Sequence, residues 1–539
     1  MAPHDLDEGR MSDLLSSSLL RASSIIIRHS TFSIAIALNL FAFLLFRYLN
    51  SPWRRLPPGP TGYPLIGSAL RFFDPSWLVG ESPKYGDIVY LNVAGRPTVI
   101  LNTQKAATTL LDRRSSNYSG RPRMIVANEI MCDNKFLVLE PFNDRFRQKR
   151  RAIHEGFNKS ASSRFQPALE EDAIRLASSL TQDAEAFRKY YHTFACSMVL
   201  GVTYDRPLLG RPEDEQLRER IEAFVKRAQE TTAPGAYYVE LLPWMKYLPA
   251  WMAKWKRDAL ATRRETTSFF MELKDEVATR MVRGLVRPCL AATMLEDAGR
   301  FQLSALETAW AAGFMYTAGS STTSTMLEFW TLAMVAFPNI QRKAQAEIDT
   351  VVGRGRLPTF SDRAHLPYTT ALLREVLRWR TGLPFGVPHT SEADDYYEGM
   401  FIPKGTVLLA NIMPCNQDRA VYGDDAHVFN PERHLDQSGQ LAPAPAFTKD
   451  HGHVSFGFGR RICVGQHVAM DALFIATTML LWSFTLEKAK GADGQEIEVD
   501  AEGYNDAGLL LAPKDFECAI RPRFADVDAL LSTEKERHA

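Results

Sequence analysis

The sequence predicts a mainly α fold with small β-sheets, and three observations carry that expectation. From about residue 160 to 390 the chain is dominated by stretches whose apolar residues recur at helical spacing. QRKAQAEIDTVV (341–352) is representative, with Pro338 near its start, where a missing N–H costs nothing. Between about 60 and 110, DIVYLNVAG and PTVILNT alternate around a Gly-Arg-Pro turn and read as short strands. No run alternates strand and helix around a phosphate-cradling glycine loop, so no flavin or nicotinamide domain is expected.

At 539 residues, length alone suggests roughly three or four domains. No Gly/Ser-rich or charge-block linker divides the chain, however, so one catalytic unit is expected over 61–523, followed by a polar tail, 524–539. Lysine plus arginine and aspartate plus glutamate balance at 63 each, which removes the global field that nucleic acid or an acidic substrate would call for. Six cysteines, at 132, 196, 289, 415, 463 and 518, show no C-x-x-C spacing. They form neither a zinc framework nor a disulfide scaffold, and they suit a reducing compartment.

An N-terminal tail, 1–29, precedes a candidate transmembrane anchor, 30–46. No side chain from His29 to Phe46 is formally charged, a run of about 18 residues that just spans hydrocarbon if slightly extended. A cleaved signal peptide is the rival, since Ala35 and Ala37 are suitably small, but cleavage there would leave LNLFAFLLF as a new terminus. A buried core helix is the third reading. Arg10, Arg21 and Arg28 before the run balance Arg47, Arg54 and Arg55 after it, so the positive-inside rule gives no orientation. The basic, proline-rich segment 47–60, containing LPPGP, reads as a stiff extended hinge.

Three helical stretches carry polar residues of interest. In PFNDRFRQKRRAIHEGF (141–157), Phe146 and Arg150 share a face, while Arg145, Arg147, Lys149 and Arg151 form a basic solvated face that an acidic electron donor could meet. In AWAAGFMYTAGSSTTSTMLEFW (309–330), the small residues 317–325 either admit a closely packed helix or, through hydroxyls bonding back to carbonyls, bend the helix and open a groove. In TALLREVLRWR (370–380), Glu375 and Arg378 are three apart, which by itself is a surface ion pair.

FGFGRRICVG (456–465) leads into the apolar run VAMDALFIATTMLLW. Cys463 therefore falls at or just before a helix N-terminus, where unpaired amides and the helix dipole favour a thiolate. A thiolate can be a nucleophile, a redox sensor or a metal ligand, and no histidine base or second cysteine lies at the spacing the first two want. Ligation of a haem iron also requires amide donors around the sulfur and a cation for the propionates, which Arg461 could supply.

Phe456, Gly459, Arg461, Cys463 and Gly465 match F-x-x-G-x-R-x-C-x-G, the haem-binding signature of cytochrome P450 enzymes, which this chain resembles over roughly residues 56–523. The resemblance implies a heme b between an oxygen-binding helix and the cysteine-headed helix, with Cys463 as axial ligand. It places Phe146 and Arg150 where W-x-x-x-R contacts one propionate, and His389 where a basic residue often reaches the other. It joins Glu375 and Arg378, as E-x-x-R, to Arg433 of FNPERHL; His434 stands where phenylalanine is usual and is expected to change only a packing neighbour. Ala318, Gly319, Ser320, Ser321, Thr322 and Thr323 match A-G-x-[DE]-T-T, with Ser321 in place of the acid. Thr322, Ser321 and Gly319 are then the catalytic positions, Thr322 hydrogen-bonding the oxygen and passing protons.

The activity so implied is monooxygenation of a lipophilic small molecule, with electrons from a separate NADPH-cytochrome P450 reductase. SSNYSGRPRM and the PERH variant resemble fungal secondary-metabolism members, with terpenoids among the candidate substrates. The expected setting is the endoplasmic reticulum membrane, with a single pass and the catalytic domain cytosolic. Two rivals are a haem-thiolate isomerase or dehydratase that needs no reductase, which the missing acid favours, and a non-enzymatic haem carrier or sensor.

Overall fold

The computed structural model describes residues 36, 38–209, 211–233, 235–507 and 510–537. The chain divides into two units, Met1–Pro57 with Asp395–Ile402, and Pro58–Asp394 with Pro403–Ala539. In the smaller unit, residues 38–49 are helical and expose Leu40, Phe41, Phe43, Leu44 and Phe46. Asp395–Tyr397 and Met400–Ile402 form a two-stranded hairpin, and Phe401 meets Trp53 edge-on with ring centroids 6.2 Å apart. Of the expected anchor, 30–46, residues 30–35 and 37 lie outside the described residues; among the described ones no helix is long and apolar enough to cross a membrane.

In the larger unit, the alternation read from the sequence becomes β1 (Ile88–Val93) and β2 (Arg96–Leu101), antiparallel from Val93↔Arg96 to Ile88↔Leu101. Val89 and Leu91 share the buried side of β1, while Val99 and Ile100, consecutive in β2, are buried on both of its sides. Residues 58–60, expected as part of the hinge, lie along β1 instead: Tyr90 N–H donates to the Pro58 carbonyl at 2.8 Å, and a Cβ on Gly59 would overlap the Tyr90 carbonyl.

The helices that build the site are α1 (Asp144–Phe157), α2 (Gln166–Gln182), α3 (Phe187–Tyr204), α4 (Pro212–Thr232), α5 (Lys254–Val282) and α6 (Ala305–Ala336). They continue with α7 (Pro338–Val351), which starts on the expected proline, and α8 (Pro367–Trp379). The short β3 (His389–Thr390) pairs antiparallel with β4 (Val407–Ala410), which runs parallel to β2. After the cysteine loop come α9 (Gln466–Ser483) and α10 (Val527–Arg537).

Helix α6 has 32 residues and is apolar around most of its circumference, which makes it a central element rather than a surface one. Its start is set by a capping box: Ser304 Oγ accepts from Glu307 N–H at 3.2 Å, and Glu307 accepts from Ser304 N–H at 2.9 Å. Two glycines let neighbours close on it. A Cβ on Gly313 would strike the Phe270 ring of α5, and one on Gly319 would lie 2.8 Å from Val199 Cγ2 of α3.

The segment 524–539, expected as a polar tail, carries α10. Val527 and Leu531, one turn apart amid charged neighbours, are fully buried, and Thr181 of α2 donates to Asp528 at 2.7 Å. Two apolar residues at a four-residue spacing suffice to dock a helix but are too few to register as periodicity.

Candidate active site

Cys463 lies in a loop whose geometry its glycines permit. Its N–H donates to the Phe456 carbonyl at 2.8 Å, closing the loop on itself. Gly459 has φ +57°, its N–H donates to the Asp112 carboxylate, and a Cβ there would overlap the Leu111 carbonyl. Only glycine meets both demands. Helix α9 begins at Gln466, with Gly465 as its N-cap, so the sulfur precedes the helix as expected. Cys463 has accessible surface yet lies deep among protein atoms, so it lines an interior recess. Burial pushes its thiol up, opposed by the Gly465 N–H and the Arg150 guanidinium. The helix-terminal amide acts in the expected direction, toward the thiolate, against a larger cost of burial; a metal ion deprotonates such a sulfur outright.

Three guanidiniums converge beside this loop. Arg461 donates to the carbonyls of Ser119 at 2.9 Å and Glu140 at 2.7 Å, and stacks 3.8 Å over the Phe146 ring. Phenylalanine in the tryptophan position thus holds Arg461 by its face. Arg150 donates to the Ile462 carbonyl, immediately before the cysteine. Arg121, which the sequence reading did not single out, donates to Val138 at 2.9 Å, Val387 at 2.7 Å and Pro388 at 2.6 Å. Every partner is a backbone carbonyl. Burial lowers all three pKa values, Arg461 to about 9, and Arg150 lowers both of the others.

His389, expected as the second cation, is buried on β3. Its Nδ1 lies 2.7 Å from the Tyr118 carbonyl, and because a carbonyl only accepts, Nδ1 carries the hydrogen. Burial, with Arg121 and Arg461 beside it, pushes His389 well below the ordinary range. Arg121, a cation, lies beside it. Lys149, expected on the solvated face of α1, is also buried and pairs with Glu140 at 2.9 Å, because it shares the inward face with Phe146 and Ile153. Arg145 and Arg147 of that helix are exposed as expected.

The E-x-x-R pair is not a surface pair. Glu375 and Arg378 are completely buried and joined by two bonds of 2.7 Å. Arg433 Nε donates to Glu375 at 3.2 Å, as does the Asn430 N–H at 2.8 Å. His434 Nε2 lies 3.0 Å from the same carboxylate, so it is a member of the network and not merely a packing neighbour. Arg378 also binds the carbonyls of Asn416 at 2.7 Å and Ala426 at 2.6 Å. Asn416 in turn donates to Ser455 Oγ at 2.9 Å, and Ser455 donates to Leu377 O at 2.6 Å. The chain of bonds ends one residue before the cysteine loop.

On α6, the small-residue cluster admits a close neighbour on one face and carries a back-bonding hydroxyl on another. Gly319 meets α3, whereas Ala318 is exposed in the middle of a helix whose Met315, Tyr316, Ser320 and Thr323 are buried. Thr322 Oγ1 donates to the Ala318 carbonyl at 2.9 Å, a bond back to the preceding turn. Met315 of α6 faces the cysteine loop, since a Cβ on Gly465 would lie 3.4 Å from Met315 Cε.

Haem fits this donor set. A sulfur with an amide donor suits iron, and three clustered guanidiniums that make no ion pair among the described residues suit a dianionic rim. Cys463 would hold the metal, and Arg121, Arg150 and Arg461 the carboxylates. Known proteins agree. The Cytochrome P450 family matches residues 57–518. A cytochrome P450 monooxygenase of Armillaria gallica is 45% identical over 93% of this chain and 96% of its own. Cytochrome P450 monooxygenase 58 of Postia placenta is 41% identical over 93% and 95%, and cytochrome P450 monooxygenase iboC of Amanita muscaria is 34% identical over 90% and 94%. With a family match spanning most of the chain and relatives aligned nearly end to end, the chain belongs to the cytochrome P450 family, as a monooxygenase whose haem iron takes a cysteine thiolate.

Proposed function

We propose that this chain oxygenates a lipophilic small molecule of fungal secondary metabolism, drawing electrons from a separate NADPH-cytochrome P450 reductase at the endoplasmic reticulum membrane. The carrying observation is the open face of α6, where Ala318 and Thr322 stand accessible within a buried helix that meets the cysteine loop through Met315. The haem supplies oxygen activation and the electron sink. The protein's part is to position substrate and protons. Thr322 Oγ1 donates its one hydrogen to the Ala318 carbonyl and so presents its lone pairs as acceptors, and it passes a proton on only when that bond is exchanged for one to the groove. Ser321 beside it can only pass on a proton received from elsewhere, because a hydroxyl is no acid at neutral pH. The apolar helix at 38–49 supports membrane contact, as do the exposed Leu241, Leu242, Trp244, Tyr247, Trp251 and Met252 of the larger unit.

The test uses sealed microsomes carrying the full chain, with reductase and NADPH added outside and a lipophilic extract as substrate source. A product one oxygen atom heavier, labelled from ¹⁸O₂, is expected without detergent. Thr322→Ala should keep NADPH consumption while peroxide replaces that product. Conversion independent of NADPH would favour the isomerase instead, and activity appearing only after detergent would place the domain in the lumen.

A further inference from the structure

Behind the open face of α6 lies a second feature, a cavity of about 140 Å³ between α3, α4 and α6. Its lining includes His192 and Cys196 of α3, Glu222 of α4, and Tyr316, Ser320 and Ser321 of α6. Space of this size among so many polar groups holds several waters. Helical geometry gives Ser321 a particular place. At about 100° per residue it lies about 60° from Ala318 on the groove side and about 100° from Ser320 on the cavity side. Ser321 is thus the boundary residue between the two faces, and it stands where the family signature has an acid.

The cavity has its own titratable pair. His192 Nδ1 lies 3.6 Å from Glu222 Oε1, and the Glu222 side chain is 41% exposed, so the pair reaches bulk water. Arg218 holds the same carboxylate at 2.6 Å. The Cys196 sulfur lies 3.7 Å from His192 Nδ1 and is also beside the buried Tyr316 hydroxyl. Lys226 completes the charged lining.

We propose that His192 and Glu222 are the proton source that replaces the missing acid, passing protons from solvent through the cavity water to Ser321 Oγ and so to the groove at Thr322. Each proton that leaves the Ser321 hydroxyl is replaced from a water hydrogen-bonded to His192, and the imidazole is reloaded by way of Glu222, so the relay returns to its starting state. Burial pushes His192 below the ordinary histidine range, Glu222 draws it up and Arg218 adds to the lowering; an imidazole accepts a proton on one nitrogen while it gives one from the other. The thiol of Cys196 is pushed up to about 11 by burial and the Tyr316 hydroxyl higher still, so neither competes as the source. This route deepens the proton-delivery reading above and depends on it.

The test compares His192→Asn, Glu222→Gln and the double variant His192→Asn/Ser321→Asp in the haem-loaded protein with reductase, NADPH and 7-ethoxycoumarin as the probe. Delivered protons decide whether reduced oxygen leaves as peroxide, so the readout is peroxide released per oxygen consumed. In His192→Asn the peroxide fraction should rise on the order of fivefold, short of the ~10²-fold of a direct general acid because water keeps partial access. Ser321→Asp should restore at least half of the loss, which a merely structural histidine would not permit. Independently of turnover, the His192 ring resonance, assigned by its loss in His192→Asn, should titrate below the ordinary range and move lower in Glu222→Gln. An unchanged peroxide fraction, absent rescue, or a His192 titration indifferent to Glu222 overturns the relay. A wild-type protein that takes up no oxygen would instead overturn the reading on which it depends.

Discussion

Of the six cysteines, four are buried, and the half-buried Cys518 has its thiol pushed up to about 11. Cys415 is typical: fully buried, its thiol pushed far up, its sulfur 3.7 Å from the Leu101 carbonyl. Cys463 differs in having accessible surface, an amide donor and a guanidinium at hand. Cys463→Ala should abolish the thiolate-type band of the reduced carbon-monoxide spectrum, whereas Cys415→Ala should retain it; a persistent band in the first would remove Cys463 as ligand. The cysteine was legible because its motif is local, five fixed residue types within ten positions, even though Leu111, Asp112 and Arg150, which meet the loop, are distant in sequence. Arg121 was not, because its three carbonyl partners come from residues 138, 387 and 388, and nothing in a linear pattern announces such contacts.

At the level of elements, the Glu375 carboxylate ties α8 to the segment carrying Arg433 and His434, and through Arg378, Asn416 and Ser455 to the cysteine loop. Removing a buried partner leaves the others uncompensated. Glu375→Ala should cost about 3–5 kcal/mol, since it strands a fully buried Arg378, with loss of haem retention. His434→Ala should cost less, about 1.5–3 kcal/mol, for one bond to a charged group. Thermal unfolding of both variants checks the order, and a His434→Ala protein as stable as wild type would return His434 to mere packing. The motif spacing made Glu375, Arg378 and Arg433 legible in the sequence. The role of His434 was hidden because a histidine in an unusual place reveals nothing about where its ring points. Long helices and the first two strands were equally legible from their periods, but β3, only two residues long, carries no period at all.

Across the whole molecule, acid sensitivity follows from the histidines, which outnumber an oppositely titrating group in the same range, Glu328, pushed up to about 7 by burial. His192, His389, His434, His451, His453 and His467 all have pKa values lowered, with burial the leading cause in each. The unfolded chain then binds more protons than the folded one below the ordinary histidine value of about 6.5, so stability falls as pH drops through that region. Glu375, also lowered, adds a further loss below the ordinary carboxylate range. The unfolding temperature should decline steadily from pH 7.5 to 5.5, and a flat or rising profile would show that these imidazoles are not held neutral. Helix α10 has a practical counterpart for anyone producing the protein. Composition invites a truncation near residue 524, but that cut would strip Val527 and Leu531 from their seats and lay bare the apolar surface they cover. Burying a large aliphatic side chain is worth about 1.5–3 kcal/mol, so a shortened enzyme should express poorly and aggregate, whereas an affinity tag placed beyond Arg537 leaves the docked turn of helix intact.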